Sequence, residues 1–344
     1  MVTRSRLVST GAFLLIIGLS AGGESAGGEA LAGGRPAGLD RSLRGRMIVV
    51  QPGYPGSTRD AEGFMKRLCA YLYAEAGERD GEGRPAALPR VTGPRVTGLS
   101  ATYHNVPAEA LAALEQLSFS CGIVSLGFYL EHREELGIRV LLEASPEGRF
   151  YLVASRKGDE DRGRSLVGQP VVGGPLYELE FLRRLAFRDV ADVETWKAVP
   201  TLKISRGLRK MKRGEYRAAV LNSREYGTLE KLGRLKELDT VHRSDAFPVA
   251  LFVTIAGFPA TKTGTTKPGA GSAPGRKRGP GRKDVDARKR ALDRFASRLA
   301  LVVRDMSKNS VGKEILETMG CDGFRTVRAK RLEELEKRYA RKDK

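Results

Sequence analysis

From residue 46 onward the chain alternates short β-branched apolar runs with longer stretches in which apolar residues recur every three to four positions. The run at 46–50 is stopped by Gln51-Pro52-Gly53-Tyr54-Pro55-Gly56. Residues 60–75 then set Phe64, Leu68, Tyr71 and Leu72 on one stripe, so the order is strand, loop, helix. The same reading predicts strands at 95–99, 121–126, 138–143 and 150–155, with helices at 107–117 and 128–136. A second unit follows, with strands at 170–172, 195–203, 216–221 and 238–242 and helices at 176–187, 206–211 and 227–232. Residues 248–255 read as a further strand, and 291–306 and 312–319 as helices. Residues 77–94 and 156–168 are polar surface stretches. Strands alternating with helices imply mostly parallel sheets covered on both faces, an α/β chain with no solenoid repeat.

The first residues do not belong to this pattern. Arg4 and Arg6 precede an apolar run at 7–21, and Ala30-Leu31-Ala32 follows. Basic start, apolar core and small-residue site are the order of a secretory signal peptide. A bilayer span needs about 20 apolar residues, and this core is shorter. Residues 1–32 are therefore expected to direct export, 33–45 to be a flexible leader, and the mature protein to be periplasmic or secreted.

Charge changes the picture in two places. The formal net charge is +19. Much of the excess lies at 262–290, where ten Lys/Arg face only Asp284 and Asp286, and in the tail at 325–344. Residues 261–289 are Gly-, Pro- and Lys/Arg-rich, the composition of a disordered insertion, and 328–344 reads as a basic helix or tail. Either a solvated insertion or docking to an anionic surface fits such charge.

Little suggests catalysis. No nucleophile elbow, P-loop, dinucleotide glycine fingerprint or zinc-protease helix is present. Cys69, Cys121 and Cys321 lack metal spacing and leave at least one thiol unpaired, and His104, His132 and His242 are scattered. The expectation is a binding protein, not an enzyme, with no cofactor and no metal.

Several segments, in order, carry a resemblance. They are Ile-Val-Val-Gln-Pro-Gly at 48–53, Cys-Gly-Ile-Val-Ser-Leu-Gly-Phe-Tyr-Leu at 121–130, and Tyr-Leu-Val-Ala-Ser-Arg-Lys-Gly at 151–158. Residues 165–173 follow, then Met-Lys-Arg-Gly-Glu-Tyr-Arg-Ala-Ala-Val-Leu-Asn at 211–222, Ser244 with Pro248, and 300–324. Over 47–327 this resembles the periplasmic phosphate/phosphonate-binding receptors of ABC importers, a type 2 solute-binding fold.

The resemblance implies two α/β lobes, 46–145 plus 249–327 and 146–248, joined by crossovers near 143–150 and 243–249. A small anionic solute would lie in the cleft between them and an ABC permease in the inner membrane would receive it, with the receptor a monomer. It also implies ligand contacts from Tyr54, Ser57 and Thr58 after the first strand, although Thr58 also suits a helix N-cap. Further contacts are implied from Ser125, Gly127 and Tyr129, from Gly173, Gly174 and Tyr177, and from Asn222. Residues 171–177 lack the Ser/Thr run such receptors commonly carry, and Asn222 replaces a frequent acidic residue. Trp196 is expected to pack, and with Tyr177 would otherwise stack on a ligand. Two alternatives remain: an interaction scaffold with a degenerate pocket that binds anionic surfaces through 261–289, or a ligand-sensing partner of a membrane receptor.

Overall fold

The computed structural model describes residues 42–53, 61–77, 95–146, 148–157, 166–190, 193–256 and 282–341. The expected signal peptide at 1–32, the expected leader up to 41 and most of the basic insert lie outside the described residues, whereas residues 42–45, expected to end the flexible leader, form the start of the first strand and pair with the strand at 95–104.

The first lobe holds β1 (Ser42–Val50), α1 (Glu62–Ala76), β2 (Arg95–His104), α2 (Pro107–Gln116), β3 (Cys121–Val124), α3 (Leu126–His132) and β4 (Ile138–Ser145). The second begins with β5 (Tyr151–Arg156) and β6 (Pro170–Gly173). A 3-10 turn (Pro175–Glu178), one turn of α4 (Leu179–Phe181) and a π turn (Leu182–Ala186) follow. Then come β7 (Lys197–Pro200), α5 (Ile204–Lys212), β8 (Ala218–Asn222), α6 (Ser223–Lys231) and β9 (Leu238–Arg243). The chain returns to the first lobe with β10 (Leu251–Ile255), α7 (Arg282–Asp305), α8 (Ser310–Met319) and β11 (Gly323–Thr326), and ends in α9 (Ala329–Ala340).

Each lobe is built on one sheet, with orders β11-β4-β10-β3-β1-β2 and β7-β6-β8-β5-β9. The sheets are mixed rather than parallel throughout. β10 runs antiparallel to β3 and β4, and β5 antiparallel to β8 and β9. Each is the strand made just after the chain crosses from the other lobe, so it enters its new sheet from the opposite side. β11, antiparallel to β4, is a strand that the polar Gly-Phe-Arg-Thr run did not announce. The two crossovers run side by side through an Arg149–Phe247 bridge, with N–H···O distances of 3.2 and 2.7 Å.

Side-chain alternation sorts the core. On β1, Met47 and Val49 face α1, α7 and α8, whereas Ile48 and Val50 face the opposite layer. On β8, Ala219 and Leu221 pack with Leu208 and Met211 of α5, while Ala218 and Val220 turn inward. The inward layers of the two sheets form one continuous apolar cluster that includes Phe128, Tyr151, Phe181, Val220 and Phe247. Tyr151, Phe181 and Phe247 meet at centroid distances of 5.3–6.3 Å, so the lobes share a core at the crossovers.

Two further elements depart from the sequence pattern. The helix expected at 176–187 is broken at Glu178, whose backbone leaves the helical region at φ −117°, ψ 48°. The segment expected to be structureless at 261–289 is helical from Arg282, because its last residues are strong helix formers.

Candidate ligand-binding site

The parallel strands of both sheets end on the boundary between the lobes. Ligands of α/β sheets gather beyond such carboxyl ends. After β1, Gln51 and Gly53 are tied to the end of β2 by N–H bonds to the His104 and Asn105 carbonyls at 3.0 and 3.1 Å. Ser125 follows β3, Gly174 follows β6 and Asn222 closes β8.

Gly53 and Gly174 touch across the boundary. A methyl group on Gly174 would stand 2.6 Å from the Gly53 carbonyl oxygen and 3.0 Å from Glu225 Oε1, and one on Gly53 would fall on the Gly174 carbonyl. Gly53 also holds φ +74°, so both its conformation and its neighbour select glycine. The expected role of Gly173 and Gly174 in cradling an anion therefore meets a packing demand: Gly173 is pressed against Val220 of β8 and Gly174 against Gly53.

Ser125 caps α3 by accepting the Phe128 N–H at 3.1 Å. Its hydroxyl donates to Glu178 Oε1, the same oxygen that accepts Phe128 N–H at 2.9 Å. Glu178 belongs to the second lobe, so its carboxylate bridges the seam. Gly127 is small because Glu178 Cδ and Phe181 Cβ would lie 2.8 and 3.0 Å from any methyl there. Glu178 is 3% exposed. Burial pushes its carboxyl up to about 7, against the Ser125 hydroxyl, Arg149 and the Phe128 N–H, which pull it down.

Asn222 caps α6. Its Oδ1 accepts the N–H groups of Arg224 and Glu225 at 3.0 and 2.9 Å, and Glu225 Oε2 accepts the Asn222 N–H at 2.9 Å, a reciprocal capping box. Burial raises Glu225 to about 7 too, with the Asn222 N–H and Arg149 opposing. Arg149, 4% exposed in the first crossover, thus acts on both carboxylates.

The remaining expected contacts divide. Tyr129 is buried and donates its hydroxyl to Glu336 of α9 at 2.5 Å. Tyr177 is half-buried in the 3-10 turn beside Gly174. Trp196 is buried against Phe187 at 5.8 Å, a packing role. Tyr54, Ser57 and Thr58 lie outside the described residues. The three cysteines are free and buried, and among the described residues no cluster of His, Cys, Asp and Glu could hold a metal ion. No helix of the described residues is long and apolar enough to cross a membrane.

Sequence reasoning missed Glu178, Glu225 and Arg149. Glu178 falls on the stripe of Leu182 and Leu185, a carboxylate on an apolar face, and Asn222-x-x-Glu225 is a capping-box spacing; both signals were present.

No protein-family model matches the chain, and no curated protein matches it in sequence. Solved structures do match in fold. PhnD1 from Prochlorococcus marinus, in complex with methylphosphonate, superposes with a TM-score of 0.56 at 10% identity, covering 87% of this chain and 97% of that one. XAC2383 from Xanthomonas citri, bound to ATP, gives 0.54 at 13% identity, over 86% and 96%. A binding-protein component of an ABC phosphonate transporter from Pseudomonas aeruginosa gives 0.51 at 10% identity, over 86% and 88%. At these identities the likeness establishes the fold, the two-lobed type 2 solute-binding architecture.

Proposed function

We propose that the protein is an exported solute-binding receptor, not an enzyme, that captures a small solute between its lobes and delivers it to an ABC permease. The observation that carries this reading is the meeting of four strand ends from both sheets, with Gly53, Ser125, Gly174 and Asn222 on one boundary. Phosphonate is named for two proteins of the same fold, which supports a phosphonate-like oxyanion. The described boundary nevertheless holds two buried carboxylates, Glu178 and Glu225, against the guanidinium of Arg149. Raised to about 7 by burial, both carboxyls are part-ionised near neutral pH, and an amine on the oxyanion would favour their charged form. The solute class is therefore an aminoalkyl phosphonate or sulfonate.

The test is a thermal-shift and calorimetric panel of phosphate, methylphosphonate, 2-aminoethylphosphonate, sulfate and taurine on the mature chain. A ligand that binds only the folded state adds about 2.7 kcal/mol at a hundred times its dissociation constant. The reading expects a saturable shift with an amine-bearing oxyanion, lost on Tyr54→Ala; no response from any of them would sink it.

A second reading, a scaffold that binds anionic surfaces, is favoured by exposed cations. Arg290, Arg294 and Arg298 recur every fourth residue on α7, continuing the basic insert, and Lys203, Arg206, Arg209, Lys212 and Arg213 are exposed on and around α5. Salt-sensitive binding to anionic vesicles, lost on deletion of 261–281 and unaccompanied by any solute response, would support it.

A further inference from the structure

The last helix lies across both lobes. Toward the first, Glu336 of α9 accepts the Tyr129 hydroxyl at 2.5 Å and pairs with Arg133 Nη1 at 2.5 Å; Tyr129 lies within α3 and Arg133 is its C-cap. Toward the second, Arg184 of the π turn donates to the Tyr339 carbonyl at 3.4 Å and sets its guanidinium 5.1 Å from the Tyr339 ring centroid. Leu335 and Tyr339 are buried in the apolar cluster shared by the two lobes, with Leu332 packed against it. Arg331 Nη2 reaches the Ala246 carbonyl of the second crossover at 3.3 Å.

The Glu336–Arg133 pair is largely buried: the Glu336 side chain is 23% exposed and that of Arg133 22%. They are stronger than a rim ion pair because Tyr129 adds a hydrogen bond from a buried donor. Glu178 grips the same helix from the other side, holding Ser125 and the Phe128 N–H at its start. α3 is thus held at its beginning by a carboxylate of the second lobe, and at its end by a carboxylate of a helix seated on that lobe.

We propose that α9 and Glu178 form a latch that ties the two lobes together through contacts supplied by the chain itself, so that the lobes separate only when these contacts are broken. Hinge closure around a ligand ordinarily requires the ligand to supply the contacts that favour the closed form. Here the chain supplies them. Gly53 and Gly174, in contact across the boundary, show how little room the closed form leaves. The inference goes beyond the receptor reading and holds whether or not a solute exists.

The experiment uses the full mature chain without any solute. Glu115→Cys on α2 and Lys231→Cys on α6 place spin labels on exposed positions of the two lobes, while the native cysteines stay buried. Pulsed electron–electron resonance then reads the interlobe distance. The latched protein gives one narrow, short distribution. Glu336→Ala, and separately removal of residues 328–344, add a longer and broader component, the open population rising about tenfold from the few per cent or less typical of a minor state. Should the truncated chain fail to give a cooperative melt, Glu336→Gln decides the matter: it keeps an acceptor for Tyr129, removes the charge facing Arg133, and must shift the distribution in the same direction by less. A broad, long distribution in the parent protein overturns the latch, as does an unchanged narrow one in the folded variants. A solute panel without response removes the receptor reading and leaves this result standing.

Discussion

Replacing Glu178 by Gln tests whether this carboxyl is the buried interlobe tie described above. Its ordinary value is 4.5, and burial raises it to about 7 in the folded chain. A raised carboxyl binds its proton more tightly folded than unfolded. Its contribution to stability is therefore complete below pH 4.5, declines as the pH rises toward 7, and is absent above it. The shift is about 2.5 units, which at 1.36 kcal/mol per unit is on the order of 3 kcal/mol. Gln keeps the shape and an acceptor for Phe128 N–H, and cannot ionise.

Denaturant unfolding of both proteins from pH 4.5 to 8 then gives a difference that grows with pH. Relative to the parent, the variant gains on the order of 3 kcal/mol across that window. Glu225 titrates over the same range in both proteins, and His104, held low by burial, acts with the opposite sign in both, so neither alters the difference. Parallel pH profiles for the two proteins would refute the reasoning, since they would mean that Glu178 is solvated or not at the seam.

Other substitutions separate packing from ligand contact. Gly174→Ala drives a methyl against the Gly53 carbonyl and Glu225; it should cost about 1–3 kcal/mol in thermal unfolding, as overpacking does. Asn222→Ala removes one side of the α6 capping box and should cost about 1 kcal/mol, and solute affinity measured alongside shows whether the residue also touches ligand. Burial holds the Cys69 thiol up at about 11 and those of Cys121 and Cys321 at about 12. All three should therefore resist thiol reagents at pH 8 until the protein is unfolded in denaturant.

Much of the fold was legible because the sheets are buried on both faces. Cys-Gly-Ile-Val at 121–124 and Leu-Phe-Val-Thr-Ile at 251–255 are apolar runs with no water-facing side, and α1 shows its stripe plainly. What periodicity could not reveal is direction. β5 and β10 read like any other buried strand, and only their place after a crossover reverses them. The break at Glu178 was hidden for a related reason, since its cause is a hydrogen bond to Ser125, 53 residues away in sequence. Leu332, Leu335 and Tyr339 form an apolar stripe in the last helix, but the surrounding Lys and Arg made the segment read as a charged tail. The glycines expected to expose N–H groups to an anion are also required by close backbone and carboxylate neighbours, a demand that only the fold reveals.

The most direct test of the proposed interlobe site is hydrogen exchange of residues 33–344 with and without the solute that gives the largest shift in the panel. The account predicts that, among the described residues, added protection is confined to four segments: 51–53, 125–129, 173–177 and 222–225. Protection spread along α5 or α7, or none at the four strand ends despite a saturable shift, would contradict it.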